Sequence, residues 1–411
     1  MINIPKGTKD VLPSESYKWH RVHETIAKLR DRYQLKEIMT PTFEYTELFA
    51  RGGGEGSDIV RKEMYTFLDK GERSLTLKPE GTAGVARSYI ENNLGNEVLP
   101  IKMYYVTPCF RYERPQAGRL REHHQFGVEI YGSDHAYSDV EAISIAMDFY
   151  RSFGVNPSVQ LNTLGCEHCR AKYIQALKDY YAQHLDSMCP DCKERYTKNP
   201  LRILDCKVAG CKTITQDAPV IRDFVCEDCG KKFGDVLQLL DTLGIPYEVN
   251  DRLVRGIDYY TNLVFEFVDK DKTLGQNALG AGGRYNHLVE ELGGKSTPVV
   301  GFGIGIERIL IYAENKGIAL LQDKQPDYFV ASVIDDLAYT TKVVKTLRDA
   351  GYSVEFDLLS RSLKAQFKFA NKIGANHVVV IGQDEYESGV LTVKNMENHE
   401  EKKMTLKELV K

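Results

Sequence analysis

The sequence predicts an α+β chain of several domains, and three observations carry that expectation. First, 411 residues exceed what one ordinary core accommodates, so two or three domains are expected. Second, residues 100–113 and 122–131 read as strands bracketing a polar, arginine-rich loop at 114–121, the pattern of a long antiparallel hairpin. Third, strand and helix patterns alternate as βαβαβ beyond residue 327, which predicts a small α/β domain with a mostly parallel sheet.

Taken in chain order, residues 16–33 read as an amphipathic helix, because Trp19, Val22, Ile26 and Leu29 recur at helical spacing. A second helical pattern follows Pro79, and a third covers about 138–153, after the hairpin. Residues 164–235 differ in kind: they hold eight of the nine cysteines, many charges and Pro200, and read as an insertion. Strand patterns resume at 246–250 and 263–268. Gly280-Ala281-Gly282-Gly283 precedes a short helix, and 298–302 reads as a buried strand leading into a helix near Ile304. Asp323-Lys324-Gln325-Pro326 reads as a linker. The last unit then runs strand 328–333, helix 337–349, strand 354–356, helix 361–373 and strand 377–381.

Composition bounds the function classes. With 42% hydrophobic and 27% charged residues the chain reads as soluble and globular. No apolar run approaches the roughly 20 residues that span a bilayer. The N-terminus has no secretory stretch, so a cytoplasmic location is expected. A net charge of −4 neither announces nor excludes a nucleic-acid partner, since phosphate contacts need only a local basic surface.

Side chains i and i+2 of a strand share a face, so Arg111 and Glu113 point together, as do Gln125, Gly127 and Glu129 on the return strand. Such a polar face either meets a ligand or is a solvated face with surface ion pairs. A missing side chain at Gly127 would let a substrate lie against the backbone. Arg114, Arg119 and Arg121 supply guanidinium forks suited to phosphate, or an ordinary exposed charged loop. In Leu253-Val254-Arg255-Gly256-Ile257-Asp258-Tyr259-Tyr260, an arginine among apolar neighbours requires an anionic partner. The tyrosines offer aromatic walls and hydroxyls, or a core pair beside a structural ion pair. Gly301, Gly303 and Gly305 fall at an expected strand-to-helix turn, where backbone can approach a ligand; the run is neither of the usual glycine-rich phosphate motifs. Glu80 and Thr82 either cap the helix after Pro79 or bind an ammonium group.

The cysteines point to metal rather than disulfides in a cytoplasmic chain. Cys166 and Cys169, and then Cys189 and Cys192, match the Cys-x2-Cys…Cys-x2-Cys zinc spacing. Cys206, Cys211, Cys226 and Cys229 would form a second four-thiolate site. The alternative is eight reduced, metal-free thiols.

Together, the order and spacing of these segments resemble class II aminoacyl-tRNA synthetases, and specifically the histidyl-tRNA synthetase family. The segment around Pro41 resembles motif 1, the dimer element; Phe110-Arg111-Tyr112-Glu113, with the strand returning to Glu129, resembles motif 2; Gly301 to Arg308 resembles motif 3. Residues 253–260 and Gly282-Gly283-Arg284-Tyr285 are similar to the two stretches peculiar to the histidine enzymes. The resemblance implies an antiparallel-sheet catalytic domain in two parts, 1–163 and 244–322. A small domain is inserted at 164–243, and an anticodon-binding α/β domain follows at 327–411. It implies activation of L-histidine with ATP and Mg2+, transfer to the 3′ end of histidine tRNA, and a homodimer.

Residue by residue, it implies that Arg111, Glu113, Arg119, His123 and Arg308 bind ATP. Glu80, Thr82 and Gln125 would hold the histidine backbone, Glu129 and Tyr260 would read the imidazole, and Tyr259 and Tyr285 would line the pocket. Arg255 would sit beside the carboxylate and α-phosphate; with Arg111 it would carry the catalysis. Gln116 and Arg121 would meet the tRNA acceptor end. The family usually has phenylalanine where this chain has His123, so weaker or pH-sensitive stacking on adenine is expected. Two rivals are a histidine-sensing regulatory subunit of an ATP phosphoribosyltransferase and a class II synthetase for another amino acid. Retention of Arg111, Arg255, Arg308 and the last domain argues against the first; Glu129 and the Arg255–Tyr260 stretch argue against the second.

Overall fold

The structure is a computed structural model, and it describes residues 2–53, 59–115, 118–270, 278–318, 320 and 324–410. Gln116 and Asp323 therefore lie outside the described residues. The chain divides into two compact units, Met1–Leu321 and Gln322–Lys411.

Unit one is built on an eight-stranded sheet, counted among the described residues. Across it run Lys36–Glu37, Ile101–Phe110, Glu122–Tyr131, Val299–Gly305, Ala278–Arg284, Thr261–Val268, Ser158–Thr163 and Tyr247–Val249. The inner neighbours pair antiparallel, and only the two short edge strands pair parallel, as the resemblance implies. The hairpin is as expected, with Tyr105 opposite Gly127 and Thr107 opposite Gln125. The strand ends at Phe110, however, so Arg111 and Glu113 leave it as a tight turn in which the Glu113 amide donates to the Arg111 carbonyl.

Period-two alternation divides the sheet into two chemistries. Phe126, Val128 and Ile130, with Val300, Phe302, Ile304, Leu263, Phe265 and Phe267, face one apolar core. It is covered by the helices Ser16–Tyr33, Ala136–Ser152 and Ile306–Asn315. The first buries Val22, Ile26 and Leu29, as their spacing predicts, and stops at Gln34, whose left-handed backbone cannot continue the helix. The last begins at Ile306, two residues later than expected, because Gly303 and Gly305 still belong to the strand. The opposite sheet face carries Gln125, Gly127, Glu129, Gly301 and Gly303, and it is the polar face that forms the site.

The insertion contains the helices Glu167–Ala182, Pro190–Lys198, Ala209–Gln216 and Glu227–Thr242. It has a core of its own around Tyr173, Leu177, Tyr181, Leu201, Ile203 and Ile221. The structure also corrects the grouping of the cysteines. Cys166 and Cys169 meet Cys226 and Cys229, while Cys189 and Cys192 meet Cys206 and Cys211. Spacing alone favoured consecutive pairs, but the helices Glu167–Ala182 and Glu227–Thr242 start side by side, so the first and last knuckles meet.

Unit two shows the expected βαβαβ order: Tyr328–Ser332, Leu337–Asp349, Val354–Phe356, Leu363–Lys372 and His377–Ile381. The three strands are parallel. Two further strands, Val390–Asn395 and Glu401–Thr405, extend the sheet antiparallel, which the sequence reading did not anticipate.

Candidate functional site

On the polar face of the large sheet lies a cleft of about 210 Å3. It is lined by Glu80, Thr82, Arg111, Glu113, Arg119, His123, Gln125, Arg255, Tyr259, Tyr260, Tyr285 and Arg308, together with backbone from Gly280, Gly301 and Gly303. Residues more than two hundred positions apart thus converge on one concavity. Arg121 is not among its lining residues. Its guanidinium stacks on the Tyr112 ring at 4.0 Å, its Nε donates to the Glu113 carbonyl, and its backbone amide donates to Gly7.

At the deep end, Glu129 is fully buried. Its Oε1 accepts from Thr82 Oγ1 at 2.8 Å and from the Tyr105 hydroxyl at 3.0 Å. Among the described residues its Oε2 has no partner, and neither has the Tyr285 hydroxyl. A buried carboxylate oxygen without a donor is costly, so this end of the cleft calls for a ligand that brings one. Burial pushes the Glu129 carboxyl well above the usual carboxylate range, and Glu80 adds to that push, against the hydrogen bond from Thr82. Glu80 is likewise raised by burial, although both its oxygens accept backbone amides, from Thr82 at 2.7 Å and Ala83 at 2.8 Å. Capping of the helix Thr82–Glu91 is therefore realised, at a residue that also lines the cleft.

The glycines act differently from the expectation. A Cβ on Gly127 would run into the Tyr105 ring, so the space belongs to that tyrosine and not to a substrate. Gly301 and Gly303 lie within the strand Val299–Gly305, not at a turn; side chains there would displace the Glu129 carboxylate and the Gln125 amide from the neighbouring strand. Gln125 is further fixed by the Gly81 amide, which donates to its Oε1 at 3.1 Å.

The outer end is cationic. Arg111 Nε donates to the Pro79 carbonyl at 2.8 Å, which aims the rest of its guanidinium. Arg119 is ion-paired with Glu113. Burial holds both Arg119 and Arg308 below the usual arginine range; Arg111 adds to this at Arg119, and Arg119 adds to it at Arg308. Several cations held together against their own repulsion, and partly out of water, mark a place for a polyanion. Burial also forces His123 down to about 3, reinforced by Arg111, His124 and Arg308. With its titration moved this far down, the ring of the ligand-free cleft is neutral in the physiological range, which speaks against pH-sensitive stacking.

Arg255 finds the anion its apolar neighbours required. Its Nη1 donates to Glu266 Oε1 at 2.5 Å, and Glu266 keeps it firmly protonated against the opposing effect of burial. The loop that carries Arg255 is braced by the insertion. Arg202 donates to the Arg255 carbonyl at 3.0 Å, Arg170 to the Tyr260 carbonyl at 3.1 Å, and Asn199 to Asp258 Oδ1 at 2.8 Å. Arg284, beside Tyr285, is structural: it is buried and bound to Asp139 and to the carbonyls of Ser133 and His135. Tyr105, Glu266 and Arg202 escaped the sequence reading. Glu266, a lone acid in an apolar strand, was the most legible of the three.

Comparison with known proteins agrees with this geometry. The family model described as histidyl-tRNA synthetase matches residues 7–309, and one described as an anticodon binding domain matches 319–411. A histidine–tRNA ligase from Clostridium novyi (strain NT) is 50% identical over 410 residues, 99% of this chain and 97% of that protein. The apo crystal structure of the S. aureus histidyl-tRNA synthetase is 39% identical, with a TM-score of 0.85 over 100% of this chain and 99% of that one. A Bacillus halodurans C structure, titled an ATP phosphoribosyltransferase regulatory subunit/histidyl-tRNA synthetase, shares the fold at 19% identity, TM-score 0.66 and 93% coverage of this chain. With the family model spanning most of its length and full-length relatives at half identity, the chain belongs to the histidyl-tRNA synthetase family.

Proposed function

We propose that the cleft holds L-histidine at its deep end and ATP at its cationic end, so that the chain joins them as the first half of histidine–tRNA ligation. ATP-dependent ligation of histidine to tRNA is the family's activity. The observation that carries the residue assignment is the pairing of a buried, half-satisfied carboxylate, Glu129, with four arginines lining the same cleft. An imidazole N–H supplies the donor that Glu129 Oε2 lacks, and Tyr260 and Tyr285 wall the ring. Glu80, Thr82 and Gln125 receive the ammonium and backbone, with Tyr259 beside them. Arg111, Arg119 and Arg308 take the triphosphate, Glu113 holds Arg119 beside it, and His123 lies against the adenine.

A carboxylate oxygen of histidine then attacks the α-phosphorus in line. The bond to the bridging oxygen breaks, and pyrophosphate leaves with the electron pair. Arg111 and Arg255 are already oriented where the α-phosphate gains charge, which stabilises the transition state more than mobile water does. A terminal ribose hydroxyl of the tRNA next attacks the activated carbonyl and AMP departs. Arg121, and Gln116 outside the described residues, are assigned to the acceptor end. Mg2+ fits the site as a companion of the phosphates, with Glu113 as its candidate protein ligand, and it neutralises phosphate charge when bound.

We assign the catalytic domain to 1–163 and 244–322, the insertion to 164–243 and the anticodon module to 327–411. Homodimerisation is supported by the surface around the motif 1 segment, where Met39, Phe43, Tyr45 and Leu68 are exposed by 82, 50, 55 and 66%. No helix among the described residues is long and apolar enough to cross a membrane; the cytoplasm suits the free cysteines.

The test is ATP–pyrophosphate exchange with each standard amino acid. Histidine alone should drive it; exchange driven as well by another amino acid, or none with histidine, overturns the assignment. A variant probes the adenine end. His123→Phe should lower the KM for ATP by about 2–5-fold, as a neutral ring gains apolar area. Near neutral pH the KM for ATP should follow the same profile in the unmodified protein and in His123→Phe, because burial holds the His123 titration down to about 3. An inflection near 6.5 that disappears in His123→Phe would contradict its depressed titration.

A further inference from the structure

Eight cysteines stand outside the reaction just described, and the fold collects them into two groups of four: Cys166, Cys169, Cys226 and Cys229, and Cys189, Cys192, Cys206 and Cys211. Within each group the sulfurs lie within 4.8 Å of one another. Cys166 and Cys169 Sγ are 3.5 Å apart, and Cys189 and Cys206 Sγ are 3.9 Å apart. Four sulfurs about 2.3 Å from a tetrahedral Zn2+ are separated by about 3.8 Å. A disulfide would require about 2.05 Å.

The backbone around the sulfurs is placed to donate to them. In each of the three Cys-x2-Cys knuckles, the first cysteine immediately precedes a helix and the second sits in its first turn. The positive end of a helix dipole favours the thiolate. Backbone amides also point at sulfur: Cys226 N donates to Cys169 Sγ at 3.0 Å and Cys189 N to Cys211 Sγ at 3.2 Å. Such donors orient metal ligands and spread their charge. Four soft ligands at single-ion spacing, with no open position, match a closed structural zinc site.

We infer that the insertion carries two structural Zn2+ sites, each held by four thiolates. The outer site joins the segment that enters the insertion to the helix that leaves it. The inner site closes the segment containing Arg202. Arg170, one residue past Cys169, and Arg202, between Cys192 and Cys206, are the side chains that brace the Tyr260 and Arg255 carbonyls. The two ions therefore act as positioning elements for the histidine loop, an inference that rests on the assignment of that loop above.

The full-length protein, purified without chelator, should contain about two zinc ions per chain, with all eight of these cysteines resisting alkylation. Cys166→Ser/Cys169→Ser should lose one ion and make Cys226 and Cys229 alkylatable, while the inner four stay protected. Cys189→Ser/Cys192→Ser should do the reverse and expose Cys206 and Cys211. Either variant should raise the KM for histidine several-fold more than it lowers kcat. Should a double variant fail to fold, replacing zinc with Co2+ in the unmodified chain tests the two sites themselves, through two equivalents of tetrahedral cobalt–thiolate absorption; less than one equivalent overturns them. Zinc below about 0.2 per chain with eight freely reacting thiols overturns both sites. Exposure of Cys189 and Cys192 in the Cys166→Ser/Cys169→Ser variant overturns the grouping. An unchanged KM for histidine in a one-zinc variant overturns the positioning role but leaves the histidine assignment standing, since the exchange reaction tests that separately.

Discussion

Replacing Arg255 with alanine should reduce histidine-dependent pyrophosphate exchange by about 100–1,000-fold, the loss seen when one oriented charge-stabilising group is removed from an active site. The guanidinium is held by Glu266 at 2.5 Å, and its loop is fastened by Arg202, so its position is set before substrates arrive. Water filling the gap would have to reorient as charge builds on the α-phosphate. The effect should fall mainly on kcat, because the interaction strengthens in the transition state. Glu266 loses its partner in this variant, so some stability is lost, on the order of 1–3 kcal/mol. Circular dichroism and thermal unfolding separate that loss from the catalytic one. A folded variant with near-normal exchange would remove Arg255 from the chemistry.

Glu129→Gln should raise the KM for histidine by roughly 10–150-fold, the equivalent of a hydrogen bond to a charged group worth about 1.5–3 kcal/mol. The amide oxygen can still accept from Thr82 and Tyr105, so the surrounding network survives. The amide nitrogen then occupies the position of Oε2 and faces the imidazole N–H donor to donor. The same change should not destabilise the ligand-free protein at pH 8, and should raise its Tm. The Glu129 carboxyl is raised well above its ordinary value by burial. A raised carboxyl contributes its full stability below its unfolded value, near 4.3, and loses it as pH climbs through the folded value. Glutamine has no such loss, so the Tm gain should shrink as pH falls toward 4. A Tm gain that is equal at pH 4.5 and pH 8 would contradict the raised carboxyl, and a KM within 2-fold of the unmodified protein would contradict the placement of Glu129 as the imidazole reader.

Much of this is legible in the amino-acid sequence. The helix Ser16–Tyr33 follows from four apolar residues at helical spacing, the hairpin from two apolar runs around a polar loop, and the last unit from its alternation of periods. In these elements local pattern and tertiary demand agree, because each buries one continuous face. The face shared by Gln125 and Glu129 was readable for the same reason: strand geometry fixes which side chains point together. The edge strand Lys36–Glu37, the sheet formed by Phe43–Tyr45, Tyr65–Leu68 and Ser74–Leu77, and the two last strands were not, being short or too exposed for a period to register.

The order of the elements, the polar strand face, the kinds of groups available for chemistry and the family they resemble all follow from the chain read residue by residue. Partnership follows only from the folded protein. Glu266 as the counter-ion of Arg255, Tyr105 over Gly127, the glycine strand that makes room for Glu129 and Gln125, and the pairing of the first cysteine knuckle with the last all join residues from different strands or helices. Periodicity constrains neighbours along one element, within a turn or a pleat. Which elements come to lie side by side depends on how their apolar faces close together over the whole chain, and spacing along the sequence carries no record of that distance.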